Sequence, residues 1–253
     1  MMRHGSIAAL LVALGPLVFA PGARAQEKLS TWSGYSVQSP NLTLPVPPIT
    51  FTAVSARWTQ PTVFCTTPNA RVSFWVGLDG NGTSTVEQVG TVVVCGEAGA
   101  PTYYKAFWEM YAGADSSGDE PFTVSPGDVI EASVTYSSGS YLLKLSDLTT
   151  GRSLSTTQSC SATVVCKRGT AEWIVERPGG GKYPLADFGA VRFSNISFAD
   201  SGGSVEESEI EMVHTKTVLS ICSPDFLPVT HHGESGSGIH VVTAVDCKWL
   251  SAE

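Results

Sequence analysis

Ser73-Phe74-Trp75-Val76-Gly77-Leu78-Asp79-Gly80 and Thr170-Ala171-Glu172-Trp173-Ile174-Val175-Glu176 are the two stretches on which the reading of this chain turns. Both have the density of aromatic and β-branched residues that suits a buried strand, and both carry polar, chemically able side chains inside it. Alternate residues of a strand share a face, so Glu172, Ile174 and Glu176 point one way while Trp173 and Val175 point the other. An acid in such a run is either paired or at work. A third segment, Glu87-Gln88-Val89-Gly90, follows the first closely and has the same character.

Working outward, alternating or apolar runs bounded by Gly, Pro, Asn and Ser recur at 49–57, 71–78, 85–95, 103–112, 128–136, 140–148, 161–166, 171–176, 189–198, 210–221 and 239–249. Asp79-Gly80-Asn81-Gly82 and Ser137-Ser138-Gly139-Ser140 read as hairpin turns, and Pro126-Gly127-Asp128 as a turn before a strand. Tyr104, Phe107, Trp108 and Tyr111 also fit helical spacing, but their aromatic density favours a strand. Segments 200–208 and 231–238 read as loops. Many short strands at regular spacing and no convincing long helix make the chain all-β, a sandwich or a barrel.

Residues 1–25 have a basic start, an apolar stretch from Ile7 to Ala20 and the small-x-small run Ala23-Arg24-Ala25, so they read as a signal peptide. Residues 26–253 are then one exported domain, extracellular or periplasmic. No apolar run approaches the roughly 20 residues of a membrane-spanning helix. The formal charge is -8, and losing Arg3 and Arg24 with the leader makes it more negative. Such a surface repels nucleic acid. The six cysteines all lie in the exported part, and proximity suggests Cys65–Cys95, Cys160–Cys166 and Cys222–Cys247 among fifteen possible connectivities. No Cys-x-x-Cys or paired histidine spacing marks a zinc site, and His231-His232 reads as part of a loop.

Serine-hydrolase chemistry finds no Gly-x-Ser-x-Gly here, and bridged cysteines make a thiol route weak. Two carboxylate routes remain. Glycoside hydrolysis needs two acids flanking a bond, and Glu172 and Glu176 are about 13 Å apart at strand rise, further than that chemistry prefers. Glu109 is a conceivable partner. Amide hydrolysis by an activated water needs an ionised base and a donor for the developing oxyanion. A glutamate near its unperturbed pKa of about 4.3 and a glutamine amide can supply these in acid. Phe198-Ala199-Asp200-Ser201-Gly202 resembles one half of an aspartic-peptidase pair, but a second good copy is missing and a loop is the simpler reading.

Trp75-Val76-Gly77-Leu78-Asp79-Gly80, Glu87-Gln88-Val89-Gly90, Phe107-Trp108-Glu109-Met110-Tyr111 and Ala171-Glu172-Trp173-Ile174-Val175-Glu176, in this order, resemble the glutamic peptidases, or eqolisins. Trp32-Ser33-Gly34-Tyr35 is similar to that family's Trp-Gly-Gly segment, and the likeness runs from about residue 30 to 198. It implies an antiparallel β-sandwich of two packed sheets, lectin-like in the concanavalin A manner, and a pepstatin-insensitive acid endopeptidase. Gln88 and Glu172 fall on the catalytic dyad. Glutamate acts as general base toward water and then as acid toward the leaving amine, while glutamine orients the water and stabilises the oxyanion. Trp32, Trp75, Asp79, Glu109 and Tyr111 match positions that line or support the cleft. The implied partners are polypeptide substrates, with no nucleic acid or membrane, no metal or cofactor, and a monomeric chain. Fungal members carry an acid and a Trp where this chain has Lys105 and Phe107, a departure that bears on substrate preference. The alternatives from other classes are a non-catalytic carbohydrate-binding module and a β-sandwich glycosidase.

Overall fold

The computed structural model describes residues 25–29, 31–97, 101–111, 116–202, 206–212, 239–241 and 250–251. In chain order the strands are β1 (Ala25–Leu29), β2 (Trp32–Gln38), β3 (Phe51–Thr59), β4 (Arg71–Leu78), β5 (Val86–Cys95), β6 (Pro101–Tyr111), β7 (Ser116–Thr123) and β8 (Val129–Ser137). They continue with β9 (Ser140–Asp147), β10 (Ser153–Gln158), β11 (Thr170–Glu176), β12 (Ala190–Val191), β13 (Ser194–Asp200), β14 (Glu206–Met212), β15 (Ile239–Val241) and β16 (Leu250–Ser251). Among the described residues there is no helix, and so none long and apolar enough to cross a membrane.

Eight strands form one sheet in the order β1-β14-β2-β11-β4-β5-β6-β7, six form a second in the order β10-β9-β8-β3-β13-β15, and β12 pairs with β16. All neighbours in the two large sheets run antiparallel except β1 and β14, which are parallel at the edge. The inner faces close on one core. Tyr35, Val37, Phe74, Val76, Leu78, Val89, Met110, Trp173 and Val175 of the large sheet meet Val54, Ala56, Trp58, Ile130, Val134, Leu143 and Phe198 of the other. The Trp173 indole reaches across and donates to the Ser55 carbonyl at 2.9 Å, so a buried polar N–H is satisfied between the layers. The fold is therefore the antiparallel β-sandwich of two packed sheets.

The outer face of the large sheet has a second, smaller apolar cluster: Trp75, Val86 and Ile174, flanked by Trp32 and Phe107. This cluster explains why β4 and β11 are apolar on both faces and show no simple alternation.

Several expectations are corrected. The 161–166 run is a turn, with Val164 N–H bonded to the Ser161 carbonyl and the Cys160–Cys166 disulfide closing it, and it joins no sheet. The 189–198 run breaks between β12 and β13, and β14 begins at Glu206, inside the stretch read as a loop. β1, β2, β7 and β10 were not foreseen; Ser and Gly dominate β2 and Ser and Thr β10, so neither shows an apolar alternation. The 103–112 run is a strand as far as Tyr111, as its aromatics suggested, and residue 112 lies outside the described residues. Cys65–Cys95 and Cys160–Cys166 are bonded, whereas Cys222, Cys247 and His231-His232 lie outside the described residues.

Candidate active site

Register assembles the site. Antiparallel pairing sets Ser36 opposite Glu172, Glu172 opposite Gly77, Gly77 opposite Gln88, and Gln88 opposite Glu109, one row across five strands of the large sheet. Residues paired in this way project to the same side, here the outer face. Between Glu172 and Gln88 the row holds only Gly77, so the two side chains face each other across a strand that contributes no side chain. A Cβ built at Gly77 would stand 3.0 Å from the Trp75 ring and 3.3 Å from the Gln88 Cβ.

Glu172 has no exposed surface. Its Oε1 accepts the Asn81 backbone N–H at 2.6 Å and the Thr170 hydroxyl at 2.7 Å, while Oε2 is buried with no hydrogen-bond partner in the protein. Gly80 and Trp32 cover that oxygen: a Cβ at Gly80 would lie 2.6 Å from Oε2 and 2.8 Å from the Trp32 ring. Gly80 also has φ 128°, a conformation that only glycine adopts readily. Burial pushes the Glu172 carboxyl up to about 8, although the Asn81 and Thr170 donors oppose the rise. The expectation of a carboxyl near its ordinary value is thus corrected, and loss of water is the cause.

Gln88 is almost fully buried. Its Nε2 donates to Glu109 Oε2 at 2.8 Å, and its Oε1 has no partner within the protein. Glu109 therefore orients the glutamine through one amide N–H and leaves the buried carbonyl oxygen without a protein partner.

Trp75 and Trp32 meet edge to face at 5.3 Å and 83°, and the Trp75 indole donates to Glu176 Oε2 at 2.9 Å. Burial raises the Glu176 carboxyl to about 7, against the Trp75, Trp32 and Ser73 donors and with the Glu109 charge adding to the rise. Ser73, Gln88, Phe107, Glu109 and Glu176 line a cleft of about 270 Å³ that runs on to Arg71 and Tyr103.

Asp79 serves from behind. It sits at φ 60° in the turn between β4 and β5, buried, with Oδ2 accepting the Arg168 N–H and Oδ1 the Gly169 N–H, each at 2.7 Å. These bonds tie the turn to the loop that enters β11, fixing where Glu172 begins. Tyr111 closes β6 opposite Val86 and is 58% exposed, at the margin of the face.

Of the residues expected at the site, Glu172, Gln88, Glu109, Trp32 and Trp75 share the outer face, Asp79 supports the turn and Tyr111 stands at the rim. Glu109 stands three strands from Glu172 along the row, and its Oε2 accepts from Gln88. Sequence reading missed Asn81, Thr170, Ser36, Ser73 and the cleft role of Glu176. Strand alternation already put Thr170 and Glu176 on the Glu172 face; the Asn81 contact is made by backbone and left no sign in the residue type. Asp200 lies at the end of β13 in the other sheet, where its Oδ1 accepts the Gly202 N–H in a local turn. Among the described residues, the one cluster of three metal-capable side chains is Glu87 with Cys160 and Cys166, whose sulfurs are joined as a disulfide and offer no thiolate.

The chain is 36% identical over 175 residues to Aspergillopepsin-2 of Aspergillus niger, a match that covers 67% of this chain and 58% of that protein's length. It thus spans less than two thirds of that relative. A crystal structure of scytalido-glutamic peptidase with a transition state analog inhibitor superimposes with a TM-score of 0.54 at 29% identity, covering 67% of this chain and 80% of the other. A second, with a peptide-based transition state analog, gives 0.58 at 24% identity over 84% and 98%, and bears on the fold. The Peptidase A4 family model matches residues 30–225, which take in every strand of the outer-face row, and by that match the chain belongs to the peptidase A4 family, the glutamic peptidases.

Proposed function

We propose that this protein is an exported acid endopeptidase that hydrolyses peptide bonds of polypeptide substrates with Glu172 and Gln88. The observation that carries the reading is the row in which Gly77 separates these two side chains while Glu172 Oε2 and Gln88 Oε1 stay free of protein partners. A water between them is held by both oxygens. Glu172, with Oε1 anchored by Asn81 and Thr170, takes the proton through Oε2 as the water attacks the carbonyl. The second N–H of the Gln88 amide donates to the oxygen on which negative charge develops, and Glu109 has already fixed that amide, so little reorganisation remains at the moment of reaction. Glu172 then gives its proton to the leaving amine.

Burial that lifts Glu172 to about 8 favours this last step, because the carboxyl holds its proton firmly until the amine needs it. The base form arises when Oε2 is hydrated and the burial is relieved. Two disulfides suit the oxidising compartment that a signal peptide over residues 1–25 leads to.

The test is digestion of a denatured protein over roughly pH 2 to 7, a range that brackets the ordinary glutamate pKa, by wild type and Glu172→Gln with pepstatin present. Acid cleavage that persists with pepstatin and disappears in the variant is the expected result. Equal cleavage by the variant, shown to be folded by its circular dichroism, refutes the assignment of Glu172.

A further inference from the structure

The cleft changes character along its length. Outward-facing residues of β4 run Gly77, Trp75, Ser73, Arg71, and those of β6 run Glu109, Phe107, Lys105, Tyr103, with Val92 opposite Lys105 and Val94 opposite Arg71 on β5 between them. Carboxyls gather at the Gln88 end; the other end has an apolar floor of Val92 and Val94 between two cations. We propose that this far end, with Arg71 on one wall and Tyr103 on the other and Lys105 stacked beside Tyr103, is a subsite for an acidic side chain of the substrate. The assignment rests on the peptidase reading above. From Gln88 to the Val92 and Val94 rows is four to six strand residues, about 13 to 20 Å. An extended peptide has a similar rise, so the acidic residue lies about four to six positions from the cleaved bond.

Both cations are held in place. The Arg71 guanidinium carbon lies 3.6 Å from the Tyr183 ring centroid, and its Nε is buried with no hydrogen-bond partner. Lys105 Nζ lies 4.8 Å from the centroid of Tyr103, itself a wall of the cleft. Stacking of this kind orients a cation without neutralising it. Among the described side chains the ion pair is Arg57–Glu131 on the six-stranded sheet, and neither Arg71 nor Lys105 takes part in one. The carboxyl between them and the dyad, Glu176, holds its proton in acid, so it does not offset the positive end where the enzyme is expected to work. In a chain with formal charge -8, two cations gathered at one end of a groove form a local reversal of sign suited to a carboxylate.

The experiment uses C-terminally amidated, internally quenched peptides bearing Asp, Asn or Lys four to six positions to either side of the cleaved bond, at pH 5, above the ordinary Asp pKa of about 3.9. On one side of the bond, kcat/KM for the Asp peptide exceeds that for the Asn peptide by about threefold to tenfold, and the Lys peptide is poorer still. Lys105→Glu reverses the order; this variant leaves untouched Arg71, whose backbone bonds to Pro184 and Ala186 help hold β4. The same peptides titrated onto Glu172→Gln give the matching order in Kd. Cleavage of all three peptides at equal rates, or an order unmoved by Lys105→Glu, overturns the subsite. Tighter binding of the Asp peptide with no cleavage by folded wild type keeps the subsite and overturns the catalytic reading.

Discussion

Gly77 acts by contributing no side chain. Every larger residue would stand between the glutamate and the glutamine, and even the Cβ of alanine meets the Trp75 ring, the Glu87 carbonyl and the Gln88 Cβ at 3.0 to 3.3 Å. Backbone carbonyl and a fully buried indole cannot retreat cheaply, so Gln88 is the side chain that shifts. Gly77→Ala is expected to lower kcat by about 10²-fold, the usual result of displacing a reacting group by about 1 Å, with a smaller change in KM. Loss in KM alone would mean the two side chains do not act together. Trp32 controls the neighbouring property, the burial of Glu172. Trp32→Ala admits water to Oε2, removes part of the desolvation that raises the carboxyl to about 8, and moves its pKa toward the ordinary 4.5. The carboxyl of the resting enzyme, followed by carbon-13 NMR, therefore titrates at lower pH in this variant than in wild type. An unchanged midpoint would mean that Trp32 does not set the burial.

At the scale of elements, the dyad depends on one loop-to-turn junction. Asp79 accepts N–H groups of Arg168 and Gly169 on different oxygens and the Thr85 hydroxyl as well, so it joins the β4–β5 turn to the entrance of β11. In Asp79→Asn, one of the two backbone donors faces an NH₂ group. The expected cost is about 1–3 kcal/mol in unfolding free energy, together with reduced kcat because Asn81 and Thr170 no longer hold Oε1 in register. Chemical denaturation and kinetics on the same preparation check both parts. This junction was partly legible: Asp79-Gly80-Asn81-Gly82 announces a turn, and the strands on either side have local apolar runs that identify them. β2 was not legible, because Ser33, Gly34 and Ser36 have no strand pattern of their own and are ordered by β11 and β14 alongside. The same limit applies to the bond between Trp75 and Glu176, which are 101 residues apart and meet only through the β4–β11 register. Glu87 is the converse case: once Gln88 faces outward, alternation sends its neighbour into the core.

Across the whole molecule, acidic groups are buried on both sides of the large sheet. Glu87 faces inward with no exposed surface, and both of its carboxyl oxygens lack a hydrogen-bond partner. Burial, and then the nearby Asp79 charge, raise its pKa well above the usual carboxylate range; Glu172 adds to the rise, Thr85 opposes it, and the Tyr141 hydroxyl and Arg168 share the same field. Asp79 is raised as well, Glu172 to about 8 and Glu176 to about 7. In the unfolded chain each of these acids loses its proton near pH 4, whereas the folded chain holds it to higher pH. Between those limits the folded state binds more protons, so stability declines as pH rises, fully present in acid and lost progressively between about pH 4.5 and 8. The melting temperature is expected to fall by on the order of 10 °C across that window. Glu87→Gln keeps the shape and removes one buried titration, so its melting temperature depends less steeply on pH and exceeds that of wild type at the upper end. Calorimetry of both proteins from acid to neutral pH reads the difference directly, and parallel curves would mean that Glu87 titrates alike in the folded and unfolded chain and the other carboxyls set the slope.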